Sequence, residues 1–274
     1  MAFIITFIAL LIERFFDWSH LRRWRWFEKC LAWLGKRFGA WPAYLIFAIA
    51  ILPPVLIVGT VNHCLAGHLY GVLKLLFGVL VLMYCLGPVN FWAEAYTCIS
   101  TLRADDMQSA MDRAKKSFGV TVFDNAQVFH RAFTNALFSE ANRRVFAVLF
   151  WFIVLGPAGA LLYRLVDLCR SSGLVLARLA VTVLAWLDWL PVRIFTLFFA
   201  LGGHFTKVIQ HWKHDVLTLP KMNSTLLSEC GIAALDVFEA GRMPEDGSAE
   251  KETISLLDRV FVIALVFLAI VVLV

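Results

Sequence analysis

Apolar residues run along this chain in long blocks separated by short polar ones. Val145 to Tyr163 is nineteen residues without a charge, interrupted only by Gly156-Pro157 and Gly159. Nineteen helical residues rise about 28 Å, close to the hydrocarbon thickness of a bilayer. A polar turn over 164–177 follows. Residues 178–203 form a second apolar block with Asp188, Pro191 and Arg193 near its middle. The pattern predicts one crossing over 145–163. It predicts a further segment over 178–203 that either crosses back or dips in and lies at the interface.

The same reading extends to both sides. Met1 to Phe16 predicts a short anchor with Glu13-Arg14 at the interface, spanning in preference to lying on the surface. Residues 17–40 interleave Arg22, Arg23, Arg25, Lys29, Lys36 and Arg37 with Trp18, Trp24, Trp26, Phe27 and Trp33. Basic residues with tryptophan at helical spacing describe an interfacial helix on the cytoplasmic leaflet. Trp41 to Val61, kinked at Pro53-Pro54, and Leu69 to Trp92 predict a hairpin whose tip, Asn62-His63-Cys64, points outward.

Two polar stretches interrupt the apolar blocks. Within 93–144, Asp105 is placed to cap a helix through Met107, Met111, Ala114 and Phe118 that stops at Gly119. Asp124 is placed to cap another through Val128, Phe133 and Leu137. Within 204–258, Ser224 to Arg242 reads as an amphipathic helix, and Pro244 to Glu252 as a charged, mobile linker. Leu256 to Val274 is a last apolar segment, entered from the cytoplasm near Arg259.

The expected organisation is N-terminal membrane helices over 1–92, a cytoplasmic helical stretch over 93–144 and a core membrane hairpin over 145–203. A second cytoplasmic stretch over 204–258 and a C-terminal membrane segment over 259–274 complete it. The fold class is all-α: a multi-pass integral membrane protein with about five to six membrane helices and amphipathic cytoplasmic helices.

Composition agrees. Of 274 residues, 61% are apolar and 16% charged, with a mean hydropathy of +0.77. A soluble domain carries roughly a quarter charged residues, so the bilayer is the expected solvent. The net charge is +5, but the lysines and arginines sit in blocks between apolar runs. That placement suits membrane topology and gives no reason to invoke nucleic acid. The six cysteines are scattered without a C-x-x-C pair, which argues against a zinc site and a disulfide framework.

No phosphate loop, dinucleotide fingerprint, zinc-protease or serine-hydrolase motif occurs, and no cofactor is expected. Candidate chemistry lies elsewhere. Arg103, Asp105, Asp106, Asp112 and Arg113 fit a cytoplasmic anion or nucleotide site, although a solvated helix face is the commoner use of such residues. Asp188 and Arg193 are costly in a bilayer, roughly 2.5–3.5 kcal/mol each at its centre unless compensated. They either pair across Pro191, contact Arg164 or Glu140, or belong to a partly immersed segment. A structural pair is favoured over a ligand site. His204, His211 and His214 share one helical face and are weak metal candidates, outweighed by a headgroup-level helix.

The order of features from Leu102 to Arg193 resembles the membrane superfamily that holds the cobalamin-pathway amide synthases (CobD/CbiB) and AmpE. Its carriers are Ala110 with Arg113, His130-Arg131-Ala132, Leu149-Phe150-Trp151, the block Gly156 to Arg164, and Leu190-Pro191-Val192-Arg193. The synthases carry an acidic A-E-N-x-x-D-G element before the Leu-Phe-Trp position. Here Glu140-Ala141-Asn142-Arg143-Arg144 puts arginine where Asp-Gly stands. Their N-T-x-D-S-M element becomes Asp167 to Ser172 with Arg170 at the aspartate, and their paired aspartates become Leu184 and Ala185. Amide formation driven by ATP needs carboxylates to hold magnesium and spread phosphoryl charge.

What remains is similar to the AmpE family, including Asp188 to Arg193. The resemblance implies a bacterial inner-membrane signalling modulator linked to β-lactamase induction and cell-wall sensing, and non-catalytic. Its partners would be the lipid bilayer and a cytoplasmic or membrane protein, or a cell-wall-derived small molecule. The ligand-binding candidates are Arg103, Asp105, Arg113, Glu140, Arg164, Asp188 and Arg193. The alternatives are a membrane-bound ATP-dependent amide synthase of the CobD/CbiB type, and a small-molecule carrier using Asp188 and Arg193.

Overall fold

The computed structural model describes residues 2–15, 24–38, 41–65, 71–87, 90–104, 106–121, 125–172, 174–217, 219–235, 244 and 246–273. Among them every regular element is helical. The chain divides into two compact units that interleave in sequence: Met1–Val89 with Val145–Asp188, and Asn90–Arg144 with Trp189–Val274.

The first unit contains α1 (Ala2–Phe15), α2 (Arg25–Arg37), α3 (Ala43–Cys64), α4 (Val72–Cys85), α8 (Ala147–Leu155), α9 (Pro157–Cys169) and α10 (Leu174–Leu187). Its hub is α9, which packs against α3, α4, α8 and α10 and buries Ala160, Leu161, Tyr163, Leu165, Val166 and Cys169. Helix α1 packs on α4, where Gly78 leaves room for the Ile5 side chain. Glu13 is only 2% exposed, so it lies within the protein instead of at a surface.

The expected crossing over 145–163 is not one helix. Gly156 has φ +69° and ψ −158°, a conformation open essentially to glycine alone, and ends α8. Pro157 then starts α9 at the first helical position, where its ring presets φ and its missing N–H has no helical acceptor to lose. The Gly-Pro pair therefore divides the block. Pro53-Pro54 does not: α3 continues through both prolines to Cys64, so Asn62-His63-Cys64 is helix and not a turn. At the far end of α4, Leu86 is extended, in line with a break at Gly87-Pro88.

The second unit contains α5 (Phe91–Arg103), α6 (Met107–Phe118), α7 (Ala126–Ala141), α11 (Trp189–Gly202), α12 (Phe205–Asp215), α13 (Asn223–Ala234) and α14 (Ser248–Leu273). Helix α14 packs on α5, α7 and α11, and α13 packs on α7, α11 and α12. Phe138–Phe199 and Phe195–Phe261 ring contacts at 5.1 and 5.7 Å join α7, α11 and α14. Trp92 Nε1 donates to Asp258 at 2.7 Å and the Tyr96 hydroxyl reaches the same carboxylate at 3.3 Å, tying α5 to α14. Pro244 to Glu252, expected to be a linker, is helical from Ser248. The Asp246 carboxylate caps that start by accepting from the Ser248 N–H at 3.0 Å.

Among the described residues, two helices are long and apolar enough to cross a membrane, Ala43–Cys64 and Ser248–Ile270. A third would result if Val175–Leu187 and Trp189–Gly202 form one bent span. Phe3–Glu13 and Val72–Cys85 are apolar but shorter.

Candidate functional site

The polar face of the second unit is built from local rules. Asn90 caps α5 through the Ala93 N–H at 3.1 Å, which starts the helix just before Glu94. Asp106 caps α6 through the Ser109 N–H at 3.1 Å, and Gly119 closes it at φ +67°. The helix matches expectation, but the cap is Asp106, one residue later than predicted. Asp105 lies outside the described residues, as does Asp124; Asn125 caps α7 instead. The Ser109 hydroxyl and N–H together hold the Asp106 carboxyl below the usual carboxylate range.

Between α5 and α6 opens a cleft of about 420 Å³ lined by Glu94, Ser109, Asp112, Arg113, Lys116 and Ser117. Two carboxylates, two cations and two hydroxyls face it. Its floor is wired to a second cluster. The Ser117 hydroxyl donates to Glu94 at 2.6 Å, and the Ser117 carbonyl accepts from the Arg144 guanidinium. Arg144 Nε in turn donates to Glu140 at 2.6 Å, and Arg143 donates to both oxygens of the same carboxylate. Arg144 also lies over the Phe118 ring.

The arginines sit in a five-residue π turn, Asn142–Phe146, that follows α7. Arg143 and Arg144 follow Glu140 by three and four residues, the spacing at which helical side chains meet, and such widened turns often accompany functional sites.

Beneath this face lies a pair that the sequence reading missed. His130 Nδ1 is 2.7 Å from Glu250 Oε1, with both side chains 0% exposed. Burial above all, then Glu250, pushes the nearby Cys98 thiol up to about 12, with Arg113 opposing and Glu94 adding. The sequence marked His130 only as part of the His130-Arg131-Ala132 element of the resemblance. Nothing local marked Glu250 as its partner.

The remaining candidates are built into the scaffold. Arg103 sits against Gly247 and helps lower the Asp246 carboxyl, an effect that comes chiefly from the Ser248 hydroxyl. In the first unit, Arg164 is 1% exposed; its Nε donates to the Cys85 carbonyl at 2.6 Å and its Nη1 to Asp167 at 2.8 Å. It ties the end of α4 to α9. Asp188 accepts from the Tyr163 hydroxyl at 2.8 Å.

In the second unit, Arg193 is 5% exposed and donates to the Val216 carbonyl, the Trp189 carbonyl and Asn223 Oδ1 at 2.5, 2.7 and 2.9 Å. Its guanidinium also lies 4.2 Å from the Trp189 ring centre. These contacts are made with protein atoms of the same unit. His204, His211 and His214 are exposed along α12, and among the described residues no three His, Cys, Asp or Glu side chains converge as metal ligands.

The family profile described as "Regulatory signalling modulator protein AmpE" matches residues 1–273. The chain belongs to the AmpE family. It is also similar to two cobalamin biosynthesis proteins CobD. The Chromobacterium violaceum protein is 29% identical over 182 residues, 62% of this chain and 57% of that protein. The Stutzerimonas stutzeri protein is 30% identical over 118 residues, 40% of this chain and 39% of that protein. The chain thus spans less than two thirds of these relatives. No solved structure matches. Family membership and the apolar helices together fit a membrane protein.

Proposed function

We propose that this AmpE-family chain is a multi-pass protein of the bacterial inner membrane that regulates β-lactamase induction by binding, without covalent chemistry of its own. The shorter apolar helices and the bent α10–α11 pair would bring the membrane segments to about five or six, with the clefted face of α5 and α6 in the cytoplasm. One observation supports binding over catalysis: both Glu140 oxygens are occupied by Arg143 and Arg144. A carboxylate so engaged has little capacity left for magnesium, whose ligands must be free oxygens in near-octahedral array. These arginines stand where the resemblance to the synthases calls for Asp-Gly.

The test is deletion in a host with an inducible β-lactamase. Loss of normal induction by a β-lactam, restored by this chain, supports the reading, and unchanged induction overturns it. The likeness to CobD favours a second reading, ATP-dependent amide formation. Purified protein in nanodiscs that consumes ATP while joining an amine to a carboxylate would establish that reading in place of the first.

A further inference from the structure

The structure assigns a ligand class to the α5–α6 cleft: we propose that it binds a small zwitterion, a free amino acid or short peptide carrying both an ammonium and a carboxylate. The proposal rests on the regulatory reading above and specifies what the cleft would sense.

The argument begins with size. A cleft of about 420 Å³ lies in the range of small-molecule sites and accommodates a few residues of peptide, not a macromolecule. Its charges then narrow the class. Arg113 and Lys116 offer donors to a carboxylate; Glu94 and Asp112 offer acceptors to an ammonium; Ser109 and Ser117 serve either. The lining therefore sums to zero formal charge with both signs present. A nucleotide or other polyphosphate would meet two carboxylates in the same cleft, and like charges at close range are repelled. A simple polyamine would meet the two cations. Of these ligand classes, a zwitterion alone offers a complementary charge to both the carboxylates and the cations.

A second observation places the cleft at the head of a connected path. Ser117 bonds Glu94 with its hydroxyl and Arg144 with its carbonyl, and Arg144 bonds Glu140 at the π turn. An ammonium drawn to Glu94 binds the carboxylate that the Ser117 hydroxyl already holds through one oxygen. The cleft and the π-turn arginine thus share Ser117, through contacts that all lie within one unit.

The experiment uses the full chain in nanodiscs and calorimetric titration with three probes: alanyl-alanine, its N-acetyl form and its C-terminal amide. The expected result is that the free dipeptide binds at least tenfold more tightly than either blocked form. Arg113→Gln and Asp112→Asn, both on exposed positions of α6, should each remove that preference while leaving the thermal unfolding midpoint unchanged. Equal binding of the three probes, no binding of any, or tighter binding of magnesium-ATP overturns the assignment. Complementation of β-lactamase induction is measured in parallel. A chain that restores induction but fails the titration loses the ligand class alone, and a chain that fails complementation loses the regulatory reading itself.

Discussion

Glu250 and His130 meet at 2.7 Å with neither side chain exposed, although 120 residues of sequence separate them. The contact joins the first turn of α14, a helix long enough to span a membrane, to α7 in the polar half of the same unit. Removing one member of a buried pair leaves the other desolvated, at a cost of about 3–5 kcal/mol. Glu250→Ala should therefore lower the thermal unfolding midpoint sharply, and Glu250→Gln less, because the amide keeps an acceptor for the ring N–H. The double variant His130→Leu with Glu250→Leu should recover part of the loss. Additive losses in the double variant would show that the two side chains are not energetically coupled.

The break between α8 and α9 depends on one residue. Gly156→Ala places a Cβ on a backbone at φ +69° and ψ −158° and should cost about 1–3 kcal/mol. Gly35, which has open space around its Cβ position and no left-handed φ, is the control. Its alanine variant should leave the unfolding midpoint unchanged or raise it slightly. Equal effects at the two positions would contradict the backbone assigned to Gly156.

Helix α6 should lose stability in acid. Hydrogen bonds from Ser109 lower the Asp106 carboxyl, so the folded state prefers the ionised form. The contribution is complete above the unfolded-state value of about 3.9 and fades as pH falls through the lower folded value. Amide exchange of Ala110 and Met111 should accelerate over that acid range. Asp106→Asn retains a cap but removes the titrating group, so its exchange should show no such step.

Reporter fusions after Cys64 and after Asn125 should report opposite sides of the membrane. The first follows the span candidate α3 and the second lies in the polar stretch before α7. The same side for both would refute the N-terminal hairpin.

Local signals were readable in the sequence and long-range ones were not. Helix α6 was legible because its apolar spacing and the stop at Gly119 are encoded within a dozen residues; its cap was misplaced because two aspartates adjoin and only geometry selects between them. Gly156-Pro157 was visible but read as an interruption, since apolarity on both sides outweighed the backbone rule. Glu250 sits in a run of charges whose composition suggests solvent, and only the arrival of His130 from a distant helix makes burial acceptable. Arg193 is a candidate because charge in an apolar block is expensive, and Arg164 because it is placed to compensate it. The i,i+3 partner Asp167 was readable beside Arg164, but the carbonyls of Cys85, Trp189 and Val216 are acceptors that no side-chain pattern announces.

The surroundings of Arg193 carry one more implication. Three oxygen acceptors and an indole face clothe the guanidinium in a shell made from its own polypeptide, so the cation does not have to draw solvent inward to keep its charge. One side chain thus fastens the start of α11 to the end of α12 and the start of α13.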